Sequence, residues 1–158
     1  MEMKLMYEHV QRSPIHFLLY FLTAFMFVFA WQIRNDVAPS VVVLIVAVMM
    51  FILTLSFQTL TVSDQDGEYL DVRYGPLNLF GTRLDYRDIT NVEQGKTSLI
   101  DGWGIHFVPF RGWTVNLWGF ECVKIWRDKK VIRIGTDDSE NLVKFLRERM
   151  EAIETTKV

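Results

Sequence analysis

"PIHFLLYFLTAFMFVFAWQI", residues 14–33, and "VVVLIVAVMMFILTLSF", residues 41–57, decide the architecture of this chain. The first run is twenty residues without a formal charge, with His16, Thr23 and Gln32 as its clearly polar members. The second is seventeen residues, polar only at Thr54 and Ser56. Each is long enough to cross the hydrocarbon of a bilayer as a helix. A chain of 158 residues has too little protein to bury two successive helices that are apolar on every side. The eleven Leu, Ile, Phe or Val residues of the first run favour insertion by about 0.3–0.6 kcal/mol each when central, which sums to several kcal/mol. The run exceeds the apolar length of a signal peptide, and Phe29-Ala30-Trp31 is unlike a small-residue cleavage site, so the segment reads as retained.

Residues 14–57 therefore read as a transmembrane helical hairpin, residues 1–13 as an N-terminal tail, and residues 58–158 as a separate head. Lys4 and Arg12 precede the first span, Arg34 alone lies in the connection, and fourteen of the seventeen Lys and Arg residues follow the second. That asymmetry predicts that both termini are cytoplasmic. The single cysteine, Cys122, can form no internal disulfide, in keeping with a reducing compartment.

From Gln58 onward the texture changes to short runs of period-two alternation, rich in Val, Ile, Thr and aromatics and punctuated by Gly, Asp, Asn and Pro. Candidate strands cover residues 59–63, 69–74, 81–85, 89–95, 103–108, 114–118, 121–127 and 131–135. Merging of adjacent pieces would leave about seven. The chain closes with Leu142, Phe145, Leu146, Met150 and Ile153 at helical spacing, which predicts a helix over about residues 138–154. Asp137 and Glu140 stand at capping-box spacing before it, and Lys144, Arg147 and Arg149 follow in accord with the helix dipole. The expected fold is membrane-anchored α+β: a two-helix hairpin, then an antiparallel β-barrel or half-barrel of about seven strands capped by the C-terminal helix.

Three stretches, "LDYRDITNVEQGK" at residues 84–96, "GWGIHFVP" at 102–109 and "VIRIGTDDSENLVKFL" at 131–146, resemble the bacterial pleckstrin-homology-like domains, which often follow a pair of membrane helices. The resemblance covers residues 58–150. It implies a multi-pass protein of the bacterial cytoplasmic (inner) membrane whose head is a binding or scaffolding module without a common reaction. Such a module has the bilayer as one partner and a membrane protein, or a second copy of itself, as another.

Residues 101–126 hold four of the five tryptophans, with His106 and Cys122. Alternation places Trp103, Ile105 and Phe107 on one face of a strand, Trp113, Val115 and Leu117 on one face of the next, and Val123 with Ile125 on a third. These sets are expected to fill a sheet core. Trp118 and Trp126, on the other face, are candidates for an aromatic surface that meets a partner or the membrane interface. A small membrane enzyme using His106 or Cys122 is the alternative, since the two residues flank a turn region and a Cys-His pair can act as nucleophile and base. No catalytic residue is assigned, no spacing suits a zinc site, and no cofactor is implied.

Lys124, Arg127, Lys129, Lys130 and Arg133 place five cations within ten residues around a predicted hairpin and form the best ligand-site candidate, for anionic lipid or a protein partner. Nucleic acid is not expected, because the net charge is -2 and no recognition motif occurs. The carboxylate pairs Asp64 with Asp66 and Asp137 with Asp138 read as a turn and a helix cap.

Overall fold

The computed structural model describes residues 6–98 and 102–156; Lys4 and Asp101 lie outside them. In chain order the elements are β1 (Glu8–Arg12), α1 (Ile15–Gln32), α2 (Val37–Ser56), β2 (Thr59–Gln65), β3 (Tyr69–Gly75), β4 (Gly81–Asp85) and a 3-10 turn (Tyr86–Asp88). They continue with β5 (Asn91–Lys96), β6 (Gly104–Val108), β7 (Gly112–Asn116), β8 (Glu121–Arg127), β9 (Lys130–Gly135) and α3 (Ser139–Thr156).

Helices α1 and α2, 18 and 20 residues long, span about 27 and 30 Å at 1.5 Å per residue. Only 11% of each apolar window is buried, so these are not core helices of the head; their Phe, Leu, Val and Ile side chains point outward. What they bury is small: Thr23 and Ala30 from α1, Ala47, Thr54 and Ser56 from α2. Small residues let the two backbones approach closely. The hydroxyls of Thr23, Thr54 and Ser56 donate to carbonyls four residues back, so none needs a water partner. Ser40 Oγ donates to the Ala30 carbonyl at 3.1 Å and ties the helices across their turn. Helix α2 starts four residues before the apolar run because Pro39, which a helix accepts in its first turn, does not interrupt it. Among the described residues these two helices alone are long and apolar enough to cross a membrane, which reduces the multi-pass expectation to one hairpin.

Glu8–Arg12 forms β1, paired antiparallel with β2 from Glu8 opposite Ser63 to Arg12 opposite Thr59. The ring of Tyr7 stacks on Phe145 of α3 at 5.3 Å, and its hydroxyl donates to Asp138 Oδ2 at 3.0 Å. His9 Nε2 lies 2.6 Å from Asp137 Oδ1. The two acids expected to cap α3 thus also receive the N-terminal strand. The chain enters α1 from β1 and leaves α2 into β2, and because those strands are neighbours, both ends of the hairpin meet the head on one side. Cysteines introduced by Val10→Cys and Thr61→Cys, residues that face each other in this ladder, are expected to join in a disulfide on mild oxidation of intact membranes. No cross-link would mean the flanks of the hairpin do not pair.

The head corrects the expected barrel of about seven strands. Among the described residues there are nine strands in two sheets, ordered β1-β2-β3-β4 and β5-β8-β9-β7-β6, with no closed barrel. Strand β4 runs into the 3-10 turn, where Asp85 accepts from the Arg87 N–H, and the chain then starts the second sheet instead of continuing the first. All pairings are antiparallel except β7 with β9. Leu60, Val62, Leu70, Val72, Tyr74 and Leu84 of the first sheet meet Val115, Val123, Ile125 and Ile134 of the second, and Leu142, Phe145 and Leu146 of α3 close the core. Each fully buried aliphatic side chain contributes about 1.5–3 kcal/mol.

Polar groups pin the helix to the sheet. Burial holds the Tyr86 hydroxyl far above its ordinary value of 10.0, and its hydrogen bond to Asp64 adds to the effect; Tyr7 is raised by burial and then by Asp138, and Tyr74 by burial. Because the folded state holds these protons more tightly, their contribution is fully present below pH 10.0 and is lost as pH rises toward the folded values. Stability should therefore stay level through neutral pH and fall in strong base. Urea midpoints measured across that range, for the parent and for Tyr86→Phe, check the sign: the variant should show the shallower alkaline limb.

Candidate binding surface

The register of the second sheet puts Glu93, Lys124, Arg133, Thr114 and His106 in one row across β5, β8, β9, β7 and β6. Successive side chains alternate between faces, so Val92, Ile125, Ile132, Trp113 and Phe107 form the adjoining row on the opposite, core-side face. These two rows decide the fate of the candidate residues.

The five cations stand in different settings. Lys124 Nζ lies 2.7 Å from Glu93 Oε1, and Arg127 pairs with Asp88. Arg133 is buried in the middle of its row. Lys129 and Lys130 stand exposed at the β8–β9 turn, where Asp128 adopts a positive φ of 54°. That turn borders a cleft of about 560 Å³ lined by Asp88, Trp113, Arg127, Asp128, Lys129, Lys130 and Ile132. It offers two ammonium groups and a paired guanidinium beside an indole, an arrangement suited to a carboxylate or phosphate attached to something apolar.

The tryptophans divide differently from expectation. Val115, Leu117, Val123 and Ile125 are buried as the core reading requires. Trp103, Ile105, Phe107 and Trp113 are not: Phe107 is 58% and Trp113 51% exposed. The expectation that Ile105, Phe107 and Trp113 fill the core is overturned: they share a sheet face with the buried Val115, Val123 and Ile125, but form an open wing on edge strand β6 and at the Gly112 end of β7, beyond the buried cluster. Phe107 and Trp113 meet edge to face at 6.0 Å on this wing, and Phe110 at the hairpin tip is fully exposed. Sequence reasoning missed Trp113 as a surface residue; its place next to the edge strand was the signal, visible only once strand order is known.

Trp118 and Trp126 are partly buried and lie at opposite ends of the sheet, so the structure does not bring them together. Trp118 packs against the core and on Trp103, with ring centroids 4.7 Å apart. Trp126 pairs with Val131 beside the basic turn. The Cys-His pair is not formed either. Cys122 on β8 and His106 on β6 are separated by β9 and β7, hence by at least about 14 Å at the usual strand spacing. Cys122 is fully buried. Among the described residues no group of His, Cys, Asp and Glu could hold a metal ion.

No protein-family model and no curated protein matches the chain. The order of elements, two long apolar helices followed by a β-rich region and a final helix, is compatible with the resemblance drawn from the sequence, though no family match supports it.

Proposed function

We propose that the chain is a non-catalytic membrane-anchored module of pleckstrin-homology-like type, a scaffold or accessory subunit whose head binds a partner at the cytoplasmic face of a bacterial inner membrane. The observation that carries this reading is the cleft at the β8–β9 turn, where Lys129 and Lys130 flank the exposed Trp113. The head that bears it is tied to both ends of the anchor through the β1–β2 ladder, so the cleft is held at a set distance from the hairpin. Six residues of extended β9 separate Lys129 from Gly135 near the root, about 20 Å along the sheet. That reach favours an acidic segment of a neighbouring membrane protein over the headgroups of the chain's own bilayer.

The double substitution Lys129→Ala with Lys130→Ala is expected to weaken capture of partner proteins from solubilised membranes by about tenfold while leaving the melting temperature unchanged. Binding of anionic vesicles by the detergent-solubilised chain, measured in parallel, separates a lipid ligand from a protein one. If partner recovery, vesicle binding and oligomeric state all match the parent, the cleft is not the binding surface.

A further inference from the structure

We propose that the head's rim around the hairpin root, Leu77, Leu79 and Phe80 on one side and Trp103 with Ile105 on the other, is itself seated in the headgroup–acyl boundary of the bilayer. The inference rests on the reading of α1 and α2 as membrane spans and adds to it a second, shallower layer of contact made by the head.

The placement comes from what surrounds the root. Helix α2 ends at Ser56, and the ring of Phe57, the next residue, stacks on Phe80 at 5.2 Å and meets Tyr74 at 4.8 Å. The Gln58 N–H donates to the Gly75 carbonyl at 3.2 Å, which holds the β3–β4 loop against the foot of α2. From that loop Leu77 and Leu79 project into solvent, Leu79 at 59% exposure, and the sequence from Pro76 to Phe80 contains no charge. On the other side, Trp103 shares a cavity of about 250 Å³ with Ile15 and Leu19 in the first turns of α1, with Phe57 and with Leu117. Trp103 thus stands level with the start of one span, as Leu79 and Phe80 stand at the end of the other.

Residues 103–108, Trp-Gly-Ile-His-Phe-Val, likewise carry no carboxylate and no lysine or arginine. An uncharged apolar loop at residues 76–80 and an uncharged apolar segment at Trp103 and the start of β6, beside the feet of an apolar helix pair, extend its apolar surface. A head standing clear of the membrane would expose all of it to water, whereas seating the rim removes it. An indole at that depth keeps its ring in the acyl boundary and its N–H among headgroups. Arg12, exposed two residues before Pro14, is placed to reach headgroup phosphates from the same level.

The test uses the full chain reconstituted in vesicles of phosphatidylcholine and phosphatidylglycerol, with a nitroxide label placed singly through Leu79→Cys, Ile105→Cys, Val46→Cys or Lys129→Cys; Cys122, fully buried, is left in place. Collision of the label with oxygen and with an aqueous nickel chelate reports depth. Val46, midway along α2, should read as hydrocarbon and Lys129 as water, with Leu79 and Ile105 between them and shielded from nickel relative to Lys129. Leu77→Cys provides a second position on the first loop should Leu79→Cys reconstitute poorly. If Val46 is shielded while Leu79 and Ile105 are as open to nickel as Lys129, the rim proposal fails and the anchor stands. If only one of the two sides is shielded, the two-sided rim is wrong. If Val46 itself reads as water, the membrane reading fails first.

Discussion

Asp64→Ala in the full-length chain is expected to lower unfolding free energy by about 3–5 kcal/mol, the range for removing one partner of a buried ion pair. Asp64 sits on β2 with its side chain 1% exposed. One carboxylate oxygen accepts from Tyr86 Oη at 2.8 Å and from the Gly67 N–H at 3.2 Å, and the other accepts from Arg149 Nη2 at 3.1 Å. Three separate elements, the β2–β3 turn, the 3-10 turn and α3, therefore share one acceptor. Truncation would remove the buried Asp64 carboxylate from the Arg149 guanidinium, which lies against the rings of Phe145 and Tyr86 with centroids 5.5 and 5.9 Å away. Asp64→Asn keeps an acceptor for the turn and the hydroxyl but not the charge, so it should recover part of the loss. Denaturant titration in mild detergent measures both. A loss under about 1 kcal/mol for the alanine variant would show that the cluster is no more than an exposed pair in effect.

The second large effect belongs to Gly112, at the start of β7. Its φ is +88°, and a Cβ added there would lie 2.1 Å from the Val131 carbonyl oxygen and 3.0 Å from its carbon. Those atoms are backbone of β9, and moving them opens the parallel ladder in which Trp113 faces Ile132. Gly112→Ala should cost about 1–2 kcal/mol for the left-handed backbone and a further 1–3 kcal/mol for the collision. Gly119→Ala is the matched control: its φ is +84°, but nothing lies within 4 Å of the added Cβ. The difference between the two melting shifts isolates the β7–β9 contact. Equal shifts would mean that β9 gives way freely at Val131.

How much of this was legible in advance depends on how local the deciding physics was. The hairpin was, because an uncharged run of bilayer length states its own burial requirement residue by residue; the helices begin and end within four residues of the apolar runs. All eight candidate segments of the head form strands, without the merging that would have left about seven, since period-two alternation is a property of each segment alone. The helical face of Leu142, Phe145 and Leu146 is buried for the same reason. Strand β1 was not legible. "EHVQR" contains one aliphatic residue, Val10, and it is exposed; the strand exists because β2 presents an open edge and because Gln11 Nε2 reaches the Trp118 carbonyl at 3.0 Å. A strand held by a partner beyond two membrane-length helices leaves no periodic trace in its own five residues.

The candidate site divides along the same line. Five cations in ten residues were visible as charge, yet their availability was settled by Glu93 and Asp88, distant in sequence, and by the burial of Arg133. The expectation that Trp103, Ile105, Phe107 and Trp113 fill the core was overturned, because strand order places β6 at the sheet's edge and the buried cluster stops at Val115 of β7. The amino-acid sequence by itself determined which segments are helix or strand and which side of each is apolar, because hydration cost and backbone geometry act over one to seven residues. Only the tertiary structure decided which apolar sides find a cover and which charges find a counter-charge, since both are set by strand order and by contacts between residues dozens of positions apart.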